Sequence, residues 1–469
     1  MANVNLTIDG KALSVPAGST ILEAAKANGI HIPTLCFLED LSPRASCSMC
    51  VVEEEGAQTF RYACAAKVRE GMAVHTDTEA VRASRRLTLE LLLSNHAVDC
   101  HHCLRIGSSK CDDLDPKLCE MCFFCDCVKD GFCDLQALAR EYKVDVLPFV
   151  QKHSACPIDA TAAIVRDPGK CIKCRRCAEV CNQVQTVHNL AVSGRGCEVT
   201  IGPAFGKAMA DSGCIGCGRC VEVCPTGAIC AMEHKDELVY CAHKDGMSTA
   251  AAVSADLIPE LEHVLKLAPG SVTLIEIAGA LKKIGVDKVY DTHEAEEAAK
   301  ARAETLLDEK RKTGRPVILT NSYAAKAFLE KNCPDKKDSF LFYDSPLAVF
   351  GRAAKADKRF AFGAVGSDAA ECGKTGCVDI AVNPRELARI MIRTGAEPNP
   401  KRTAEFASLN LPKASGKYGR LLSKAAWSFD SDPEIFEQDG LKCVICHNLG
   451  QARKVLESKE AFDVIRVIG

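Results

Sequence analysis

Apolar and polar residues alternate through much of the first 79 positions, and this pattern predicts a β-rich domain there. The segments NVNLTIDG and KALSVPAG flank Asp9–Gly10, a pair that strongly favours a β-hairpin. The segment STILEAAKANG then predicts a helix, with Ser19 or Thr20 as its N-cap and Glu23 in its first turn. Further strands are predicted at VVEEEG and FRYACAA. The order is therefore two strands, a helix and more strands.

The patterns change three times along the rest of the chain. Residues 80–166 open with a predicted helix, AVRASRRLTLELLLSNH, whose apolar positions include Leu87, Leu91 and Leu92, and continue as an irregular cysteine-rich segment. Residues 167–239 contain two similar runs, CIKCRRCAEVC and CIGCGRCVEVCPTGAI, which indicates an internal duplication. In residues 240–469, β-type runs alternate with helical ones, so an α/β domain with a largely parallel sheet is expected there.

Composition adds one anomaly to an ordinary chain of 469 residues. The net charge of -3 offers no basic face for nucleic acid, and no signal peptide or membrane span is expected. However, 24 of the 29 cysteines lie in residues 1–241. A disulfide framework belongs to small secreted domains, whereas clustered CxxC spacing favours metal ligation in a reducing compartment. We therefore expect a cytoplasmic protein of an organism that lives without oxygen.

The first cysteine group predicts a [2Fe–2S] cluster. Its successive members are separated by ten, two and thirteen residues. Four thiolates are the ligands that a [2Fe–2S] cluster takes, and the alternative is a structural zinc site. The group consists of Cys36, Cys47, Cys50 and Cys64.

The duplicated runs carry the strongest signal, because each has the spacing C-x2-C-x2-C-x3-C. In this pattern three close thiolates hold three corners of a cubane, and the fourth reaches across to the other cluster. One [4Fe–4S] cluster is therefore expected on Cys171, Cys174, Cys177 and Cys224. The second is expected on Cys214, Cys217, Cys220 and Cys181.

A third [4Fe–4S] site is predicted at SNHAVDCHHC, with a later cysteine from GFCDLQ. Its expected ligands are His96, Cys100, Cys103 and Cys133. His101 and His102 lie inside the CxxC. Their imidazoles are expected either to be solvated or to contact the ligating side chains without binding iron themselves. The isolated cysteines Cys156, Cys197, Cys230 and Cys241 are expected to be small buried hydrophobes.

This order of cysteine groups resembles two related families over residues 1–235. One is the large iron–sulfur subunit of respiratory complex I, and the other is the large subunit of multimeric, electron-bifurcating [FeFe]-hydrogenases. The segments CFLEDLSPRASCSMCVVE, SNHAVDCHHC, GFCDLQ, RDPGKCIKC and GRGCEVTIGPAFGKAMADSGCIGCGRC carry the resemblance. It implies an α+β multidomain protein with a β-grasp ferredoxin domain (1–79), a one-His, three-Cys domain (80–166), a double ferredoxin domain (167–239) and an α/β hydrogenase-like domain (240–469).

The chain departs from the family between Cys103 and Cys133, where 29 residues stand in place of about five. The insertion over 104–132 supplies enough thiols for one additional iron–sulfur cluster. Its expected ligands are Cys119, Cys122 and Cys125, with Cys111 or Cys127 as the fourth. The alternatives are a zinc knuckle, or Cys111 replacing Cys133 in the histidine-containing site.

Residues 240–469 resemble a shortened [FeFe]-hydrogenase catalytic domain that has lost its metal-binding thiols. The segments EIAGALKKIGVDKVYDT, VDIAVNPRELARIM and NLGQARKVLES carry the likeness. Where the family has the cysteines of its H-cluster, this chain offers Ser322, Tyr323 and Asp368, and it stops at Gly469 where the third motif would begin. The nearby Cys372, Cys377, Cys443 and Cys446 do not align with those positions. Hard oxygen ligands are poor replacements for thiolates, so no H-cluster and no hydrogen chemistry on this chain are expected.

The resemblance implies an electron-transfer subunit without a catalytic residue or a nucleotide or flavin site of its own. Its expected partners are a flavin- and NADH-binding iron–sulfur subunit, a small [2Fe–2S] subunit, ferredoxin and a separate catalytic subunit, for which a [NiFe]-hydrogenase is the first choice. The alternatives are an electron-transfer subunit of an NAD-dependent formate dehydrogenase or NADH dehydrogenase complex, and a non-catalytic assembly or scaffold protein.

Overall fold

The computed structural model describes most of the chain outside the cysteine-rich insertion. The described residues are 2–39, 41–97, 129, 133–144, 148–149, 157–161, 163–233, 235–243, 248–356, 360–364, 377–423, 428, 432–458 and 460–468. Several predicted site residues lie outside them: Cys100, His101, His102, Cys103, Cys111, Cys119, Cys122, Cys125, Cys127, Cys156, Asp368 and Cys372. In the described part, no helix has the length and apolarity that a membrane crossing requires.

The first domain is a five-stranded mixed sheet with one helix packed on it. Strands β1 and β2 form the predicted antiparallel hairpin, β1 also pairs in parallel with β5, and the sheet order is β2-β1-β5-β3-β4. The FRYACAA segment forms a strand over two residues only. The bounds are β1 Asn3–Ile8, β2 Lys11–Pro16, α1 Ile21–Ala27, β3 Val51–Glu54, β4 Arg61–Tyr62 and β5 Met72–His75.

Helix α1 begins as its sequence predicts, with Thr20 rather than Ser19 as the N-cap. The Thr20 Oγ1 accepts a hydrogen bond from the Glu23 backbone N–H at 3.1 Å, and the Glu23 carboxylate accepts from the Thr20 N–H at 2.6 Å. This reciprocal capping box satisfies two backbone donors that the first turn leaves without helical partners.

Only part of the apolar pattern of helix α2 (Glu79–Ser94) lies on its buried side, because Leu92 packs against the core while two other leucines are exposed. Leu87 and Leu91 are 48% and 45% exposed, whereas the buried stripe runs through Val81, Arg85, Leu89 and Leu93. Because one position of this stripe is an arginine, the buried face does not appear as a continuous apolar pattern in the sequence. The Arg85 guanidinium is held by the Val51 carbonyl at 2.8 Å and the Tyr142 hydroxyl at 2.9 Å, so α2 packs against both β3 and the end of α3 (Asp134–Glu141).

The duplicated region consists of two short helices, a three-stranded sheet and a separate hairpin. The sheet has the order β10-β7-β6, and β8 pairs with β9. The first repeat continues from its α-helix into a π-helical turn over Val180–Val184. The bounds are β6 Asp159–Ala160, β7 Ile164–Arg166, α4 Arg176–Glu179, β8 Leu190–Ser193, β9 Thr200–Pro203, α5 Arg219–Glu222 and β10 Ile229–Ala231, with 3-10 turns at Pro168–Lys170, Gly196–Glu198 and Ala204–Gly206.

The C-terminal half is an α/β domain, but its strands form two sheets instead of one. Sheet A is parallel with the order β12-β11-β15-β16, and sheet B is parallel except for its edge strand β17, with the order β14-β13-β19-β18-β17. The strands are β11 Thr249–Val253, β12 Lys288–Asp291, β13 Val317–Thr320, β14 Phe340–Phe342, β15 Phe360–Ala364, β16 Ile380–Val382, β17 Glu434–Gln438, β18 Leu441–Cys446 and β19 Val464–Val467.

The helices of this half cover the two sheets, and most of them begin at a side-chain N-cap. They are α6 Lys235–Ala242, α7 Ile258–Val264, α8 Leu274–Ile284, α9 Thr292–Arg311, α10 Tyr323–Asn332, α11 Pro346–Ala356, α12 Pro384–Thr394 and α13 Leu449–Glu457, with 3-10 turns at Ala255–Leu257 and Pro334–Ser339. Helix α12, for example, has Asn383 as its N-cap in a capping box with Glu386.

Helix α13 joins the C-terminal domain to the duplicated region. Its first backbone N–H, from Leu449, donates to the Gln185 Oε1 at 3.1 Å. A side chain at Gly450 would overlap the carbonyl oxygen of Val184, so the absence of a Cβ lets the helix approach the π-helical turn closely. Val187 and Ile215 of the duplicated region pack against the core of sheet B at the same place.

Candidate metal centres

The first cysteine group lies together in the N-terminal domain. Cys36, Cys47 and Cys50 come from the loop between α1 and β3, Cys64 follows β4, and all four are buried. The Sγ atoms of Cys50 and Cys64 are 3.4 Å apart, and Cys36 is hydrogen-bonded to Cys47. Each iron of a [2Fe–2S] cluster takes two protein ligands, so four thiols arranged as two close pairs are a donor set that fits it.

The hydrogen bond within each pair shifts the pKa values of its two thiols in opposite directions. The hydrogen bond from Cys47 lowers the pKa of Cys36 to about 5, and the same bond raises the pKa of Cys47. Likewise, the bond from Cys50 lowers the pKa of Cys64 and raises that of Cys50. The hydrogen bond within each pair therefore makes one of its two thiols easier to ionise than the other, and metal binding must displace the protons that remain.

The first cavity of the duplicated region is lined by Cys171, Cys174, Cys177 and Cys224. Its volume is about 400 Å³, including the space at its mouth. Three of these cysteines come from the first repeat and one from the second. This is the membership that the spacing predicts, and four thiols around one cavity are the donor set of a [4Fe–4S] cluster.

The second cavity repeats this arrangement with the contributions reversed. It is lined by Cys214, Cys217 and Cys220 of the second repeat and by Cys181 of the first, and its volume is about 340 Å³, again including its mouth. The four cysteines thus match the second predicted ligand set.

The two CxxCxxC loops have the same backbone conformation but different residues. Positive φ occurs at Lys173 and Arg175 in the first loop, and at Gly216 and Gly218 in the second. The N–H of Lys173 lies 3.4 Å from the Cys171 Sγ, and the N–H of Gly216 lies 3.4 Å from the Cys214 Sγ. Left-handed φ is costly for residues with a Cβ, so the first loop holds a strained conformation that aims N–H groups at a thiol.

Burial in these cavities disfavours the ionised thiol. It raises the pKa of Cys171 to about 11, of Cys174 to about 12 and of Cys217 to about 11. Without a bound cation the thiols stay protonated near neutral pH, and metal binding must displace those protons.

The two described residues of the predicted histidine-containing site lie beside the first cavity. His96 and Cys133 are buried, and a neighbour of each bonds to the duplicated region. The Ala97 N–H donates to the Gly169 carbonyl at 2.7 Å, and the Asp134 N–H donates to the Pro225 carbonyl at 2.9 Å. The other two expected ligands, Cys100 and Cys103, fall outside the described residues.

Two buried clusters, both of which include cysteines of the first cavity, connect the four sites. One buried cluster contains Cys36, Cys47, Cys133 and Cys174, together with Leu89, Leu93 and Leu135. A second contains cysteines of both cavities of the duplicated region. A surface ion pair between Arg44 and Glu179, at 2.7 Å, also connects the first domain to helix α4.

Two of the positions that the sequence comparison aligns with H-cluster ligands, Ser322 and Tyr323, have structural roles, and the third, Asp368, lies outside the described residues. Ser322 is the N-cap of α10, where its hydroxyl accepts from the Ala325 N–H at 3.2 Å. The Tyr323 ring packs on Phe342, with ring centroids 4.9 Å apart. The other cysteines of this half that the structure describes include three buried ones, Cys377, Cys443 and Cys446. Burial raises the pKa of Cys443 to about 11 and of Cys446 to about 12, as expected of core thiols within β18.

Two of the isolated cysteines test the prediction that they are small buried hydrophobes. Cys230 is buried in β10, as predicted, but Cys241 on α6 is only half-buried. Helix α6 covers the edge of a core instead of entering it, so one side of Cys241 remains open to solvent. The side chain of Cys197, like the whole of Cys156, is outside what the structure describes.

Within the described ranges, no three His, Cys, Asp or Glu side chains converge as ligands of a single metal ion would. A cubane does not require such convergence, because each of its thiolates binds a different iron. The sequence motifs also missed Gln185, which lines the second cavity and contacts α13. Its position in the repeat, four residues after Cys181, was the available signal.

Three family models match separate parts of the chain. Residues 1–79 match a 2Fe-2S iron-sulfur cluster binding domain, residues 170–228 a 4Fe-4S dicluster domain, and residues 247–421 the C-terminal domain of the iron only hydrogenase large subunit. The chain therefore contains 2Fe-2S, 4Fe-4S and hydrogenase-like domains.

Similar proteins include components of two kinds of oxidoreductase. The NADP-reducing hydrogenase subunit HndD of Solidesulfovibrio fructosivorans is 36% identical over 76% of this chain and 59% of its own length. The mitochondrial NADH-ubiquinone oxidoreductase 78 kDa subunit of Candida albicans is 32% identical over 43% of this chain and 25% of its own length.

Among solved structures, an NAD+-reducing [NiFe]-hydrogenase in the H2-reduced state is 27% identical over 49% of this chain and 87% of that one, with a TM-score of 0.40, too low to support a structural argument. The present chain thus spans about three fifths of HndD and about a quarter of the 78 kDa protein. The matched domains and relatives confirm the resemblance found in the sequence: the chain is similar to a subunit of an NADP-reducing hydrogenase and to the 78 kDa subunit of NADH-ubiquinone oxidoreductase, and it carries 2Fe-2S, 4Fe-4S and hydrogenase-like domains.

Proposed function

We propose that this chain is the iron–sulfur electron-transfer subunit of a multisubunit, NAD(H)- and ferredoxin-linked hydrogenase complex. The observation that carries the proposal is the pair of four-cysteine cavities, each completed by a thiol from the other repeat. When bound there, iron–sulfur clusters supply one-electron transfer. The protein's part is to hold them in buried positions beside one another.

The continuous packing of the sites supports a relay. Cysteines of the first group, of the histidine-containing site and of the first cavity belong to one buried cluster. The backbone bonds next to His96 and Cys133 fix that site against the duplicated region. We propose that electrons enter or leave at the β-grasp [2Fe–2S] domain and pass through the His96 centre, held also by Cys100, Cys103 and Cys133, to the two duplicated centres.

We propose that the catalyst of the complex is on another subunit. In place of the cluster thiols, this chain has a helix N-cap at Ser322 and a packed ring at Tyr323. A flavin- and NADH-binding subunit, a small [2Fe–2S] subunit and a [NiFe]-hydrogenase would then be its cytoplasmic neighbours. An additional cluster on Cys119, Cys122, Cys125 and either Cys111 or Cys127 would extend the relay toward the new catalyst.

The experiment is anaerobic purification of the native complex, with mass-spectrometric identification of every co-purifying subunit and reduction of its centres by dithionite followed by EPR. We expect flavin-binding and [NiFe]-hydrogenase subunits, and several centres that are reduced at low potential. A molybdopterin subunit would keep the electron-transfer role and change the substrate to formate.

Two results would contradict the proposal. A chain that purifies alone, without reducible centres, would be an assembly or scaffold protein. Hydrogen uptake by the isolated, fully reconstituted chain would show that catalysis resides on this polypeptide despite its altered pocket.

A further inference from the structure

The second cavity contains a polar group that the cysteine motifs do not explain, the side-chain amide of Gln185. This side chain lines the cavity together with Cys181 and Cys214 and is 0% exposed. Its Nε2 has no hydrogen-bond partner among the residues that the structure describes. A buried N–H donor without an acceptor is unfavourable and rare in native proteins, so this donor requires an explanation.

The orientation of the amide is fixed from outside the cavity. The backbone N–H of Leu449, at the start of α13, donates to the Gln185 Oε1 at 3.1 Å. A backbone N–H can only donate a hydrogen bond, so its partner must be the amide oxygen of Gln185. The amide nitrogen then points to the other side of the group and keeps its own donors. The C-terminal domain therefore determines which end of the amide remains available on the cavity side.

The duplication provides an internal comparison. Gln185 follows Cys181 by four residues, and Ala228 follows Cys224 by four residues. Both line the cavity that their own cysteine completes. The first cavity thus has an apolar methyl group at the repeat position where the second has an amide donor.

We propose that the Gln185 Nε2 donates a hydrogen bond to the [4Fe–4S] cluster of the second cavity and raises its reduction potential. This rests on the proposed function, because it requires a cluster in that cavity. The cluster gains one negative charge when it takes up one electron, and a donor directed at its sulfur atoms stabilises the reduced state more than the oxidised state. Gln185 is a positioning and tuning residue, and the electron itself comes from the relay or, in the test, from dithionite.

The test is an EPR-monitored redox titration of the anaerobically purified complex with Gln185→Met, which keeps the side-chain length and removes the donor. At a fixed solution potential, we expect the ratio of reduced to oxidised second centre to fall roughly tenfold, which is about 59 mV for a one-electron couple. The second centre is identified as the signal lost in Cys217→Ala. The control is Gln183→Met, because Gln183 lies on the same π-helical turn but is exposed and bonds to Glu179.

A second variant is needed because Gln185→Met also removes the oxygen that accepts the hydrogen bond from α13. Gln185→Glu keeps an oxygen acceptor for the Leu449 N–H. Burial beside an anionic cluster raises the pKa of the new carboxyl, so this titration is run at a pH above that pKa, where the carboxylate offers no donor and the second centre's potential should fall here too. An unchanged potential in both variants overturns the inference and leaves the proposed function intact. Loss of the second centre in both Gln185 variants, together with its retention in Gln183→Met, also overturns the inference. The Gln185 side chain would then be required to hold the cluster and not to tune its potential. Absence of iron–sulfur signals from the wild-type complex would instead refute the proposed function.

Discussion

At the scale of single residues, burial does not distinguish a cysteine that lines a cavity from one that fills a core. Cys224 and Cys230 are both 8% exposed and stand six positions apart. Cys224 lines the first cavity, whereas Cys230 lies in β10 with its Sγ 3.8 Å from the Val165 carbonyl. What separates them is the direction in which the backbone presents each thiol.

This difference predicts opposite results for one substitution. Cys224→Ala should remove one [4Fe–4S] cluster per chain and abolish the signal of the first centre, although Cys224 belongs to the second repeat. Cys230→Ala should retain all clusters and destabilise the fold by about 1 kcal/mol or less, because it removes one buried sulfur. Iron and sulfide analysis with EPR of both variants provides the check, and loss of the second centre's signal in Cys224→Ala would contradict the crossed assignment.

The residue scale also shows what spacing can and cannot predict. The sequence predicted which four cysteines line each cavity, because ferredoxin spacing leaves few geometric solutions. It did not predict Gln185, since its partner Leu449 is 264 positions away and only the tertiary fold brings them together. Similarly, Arg85 reads as a polar residue of a surface helix until the Val51 carbonyl and Tyr142 hydroxyl are seen around it.

At the scale of elements, the most informative contact is that between α13 and the π-helical turn. Cys181, a predicted ligand, lies within this turn, and α13 covers it through Leu449 and Gly450. A helix of the C-terminal half thus packs directly on the segment that completes the second cavity.

Gly450→Ala should therefore disturb the second centre. The new Cβ would overlap the Val184 carbonyl, so α13 must move away, at a cost of about 1–3 kcal/mol. We expect a lower unfolding temperature and faster loss of the second centre to an iron chelator. Gly279→Ala is the matched control, because its Cβ would overlap the Arg402 carbonyl within the C-terminal domain. That variant should lower the unfolding temperature without changing chelation, and equal chelation rates in the two variants would contradict the role given to α13.

Element boundaries were largely predictable, but their assembly was not. Local patterns and capping residues predict the hairpin, helix α1 and the alternation of strands and helices from β13 to β19. The division of the parallel strands into two sheets does not, because strand order depends on pairings between distant segments. The buried face of α2 does not follow from the apolar positions alone, because its inward-facing arginine interrupts the apolar stripe.

At the scale of the whole molecule, the described sites form one connected series from the N-terminal domain to sheet B. In the sequence, the insertion over 104–132 lies between Cys103 and Cys133, two predicted ligands of the histidine-containing site. An added centre there would give the relay a branch that the shorter family pattern lacks.

Quantifying iron and acid-labile sulfide in the intact chain tests this branch. We expect more of both than one [2Fe–2S] and three [4Fe–4S] clusters require, because the insertion holds five cysteines within 17 residues. In a variant with Cys119, Cys122 and Cys125 changed to Ala, the excess should disappear while the other centres remain. A wild-type total that matches only the four family clusters would rule out the additional centre, and bound zinc would indicate a zinc knuckle instead.

The exchange of one thiol between the two repeats has a consequence for how the protein matures. Neither repeat can complete a four-cysteine site by itself, since Cys181 serves the second cavity and Cys224 the first. A partly synthesised chain that ends before the second repeat therefore offers only incomplete sites. Neither centre can therefore receive its full set of four thiolates until both repeats have left the ribosome and folded together.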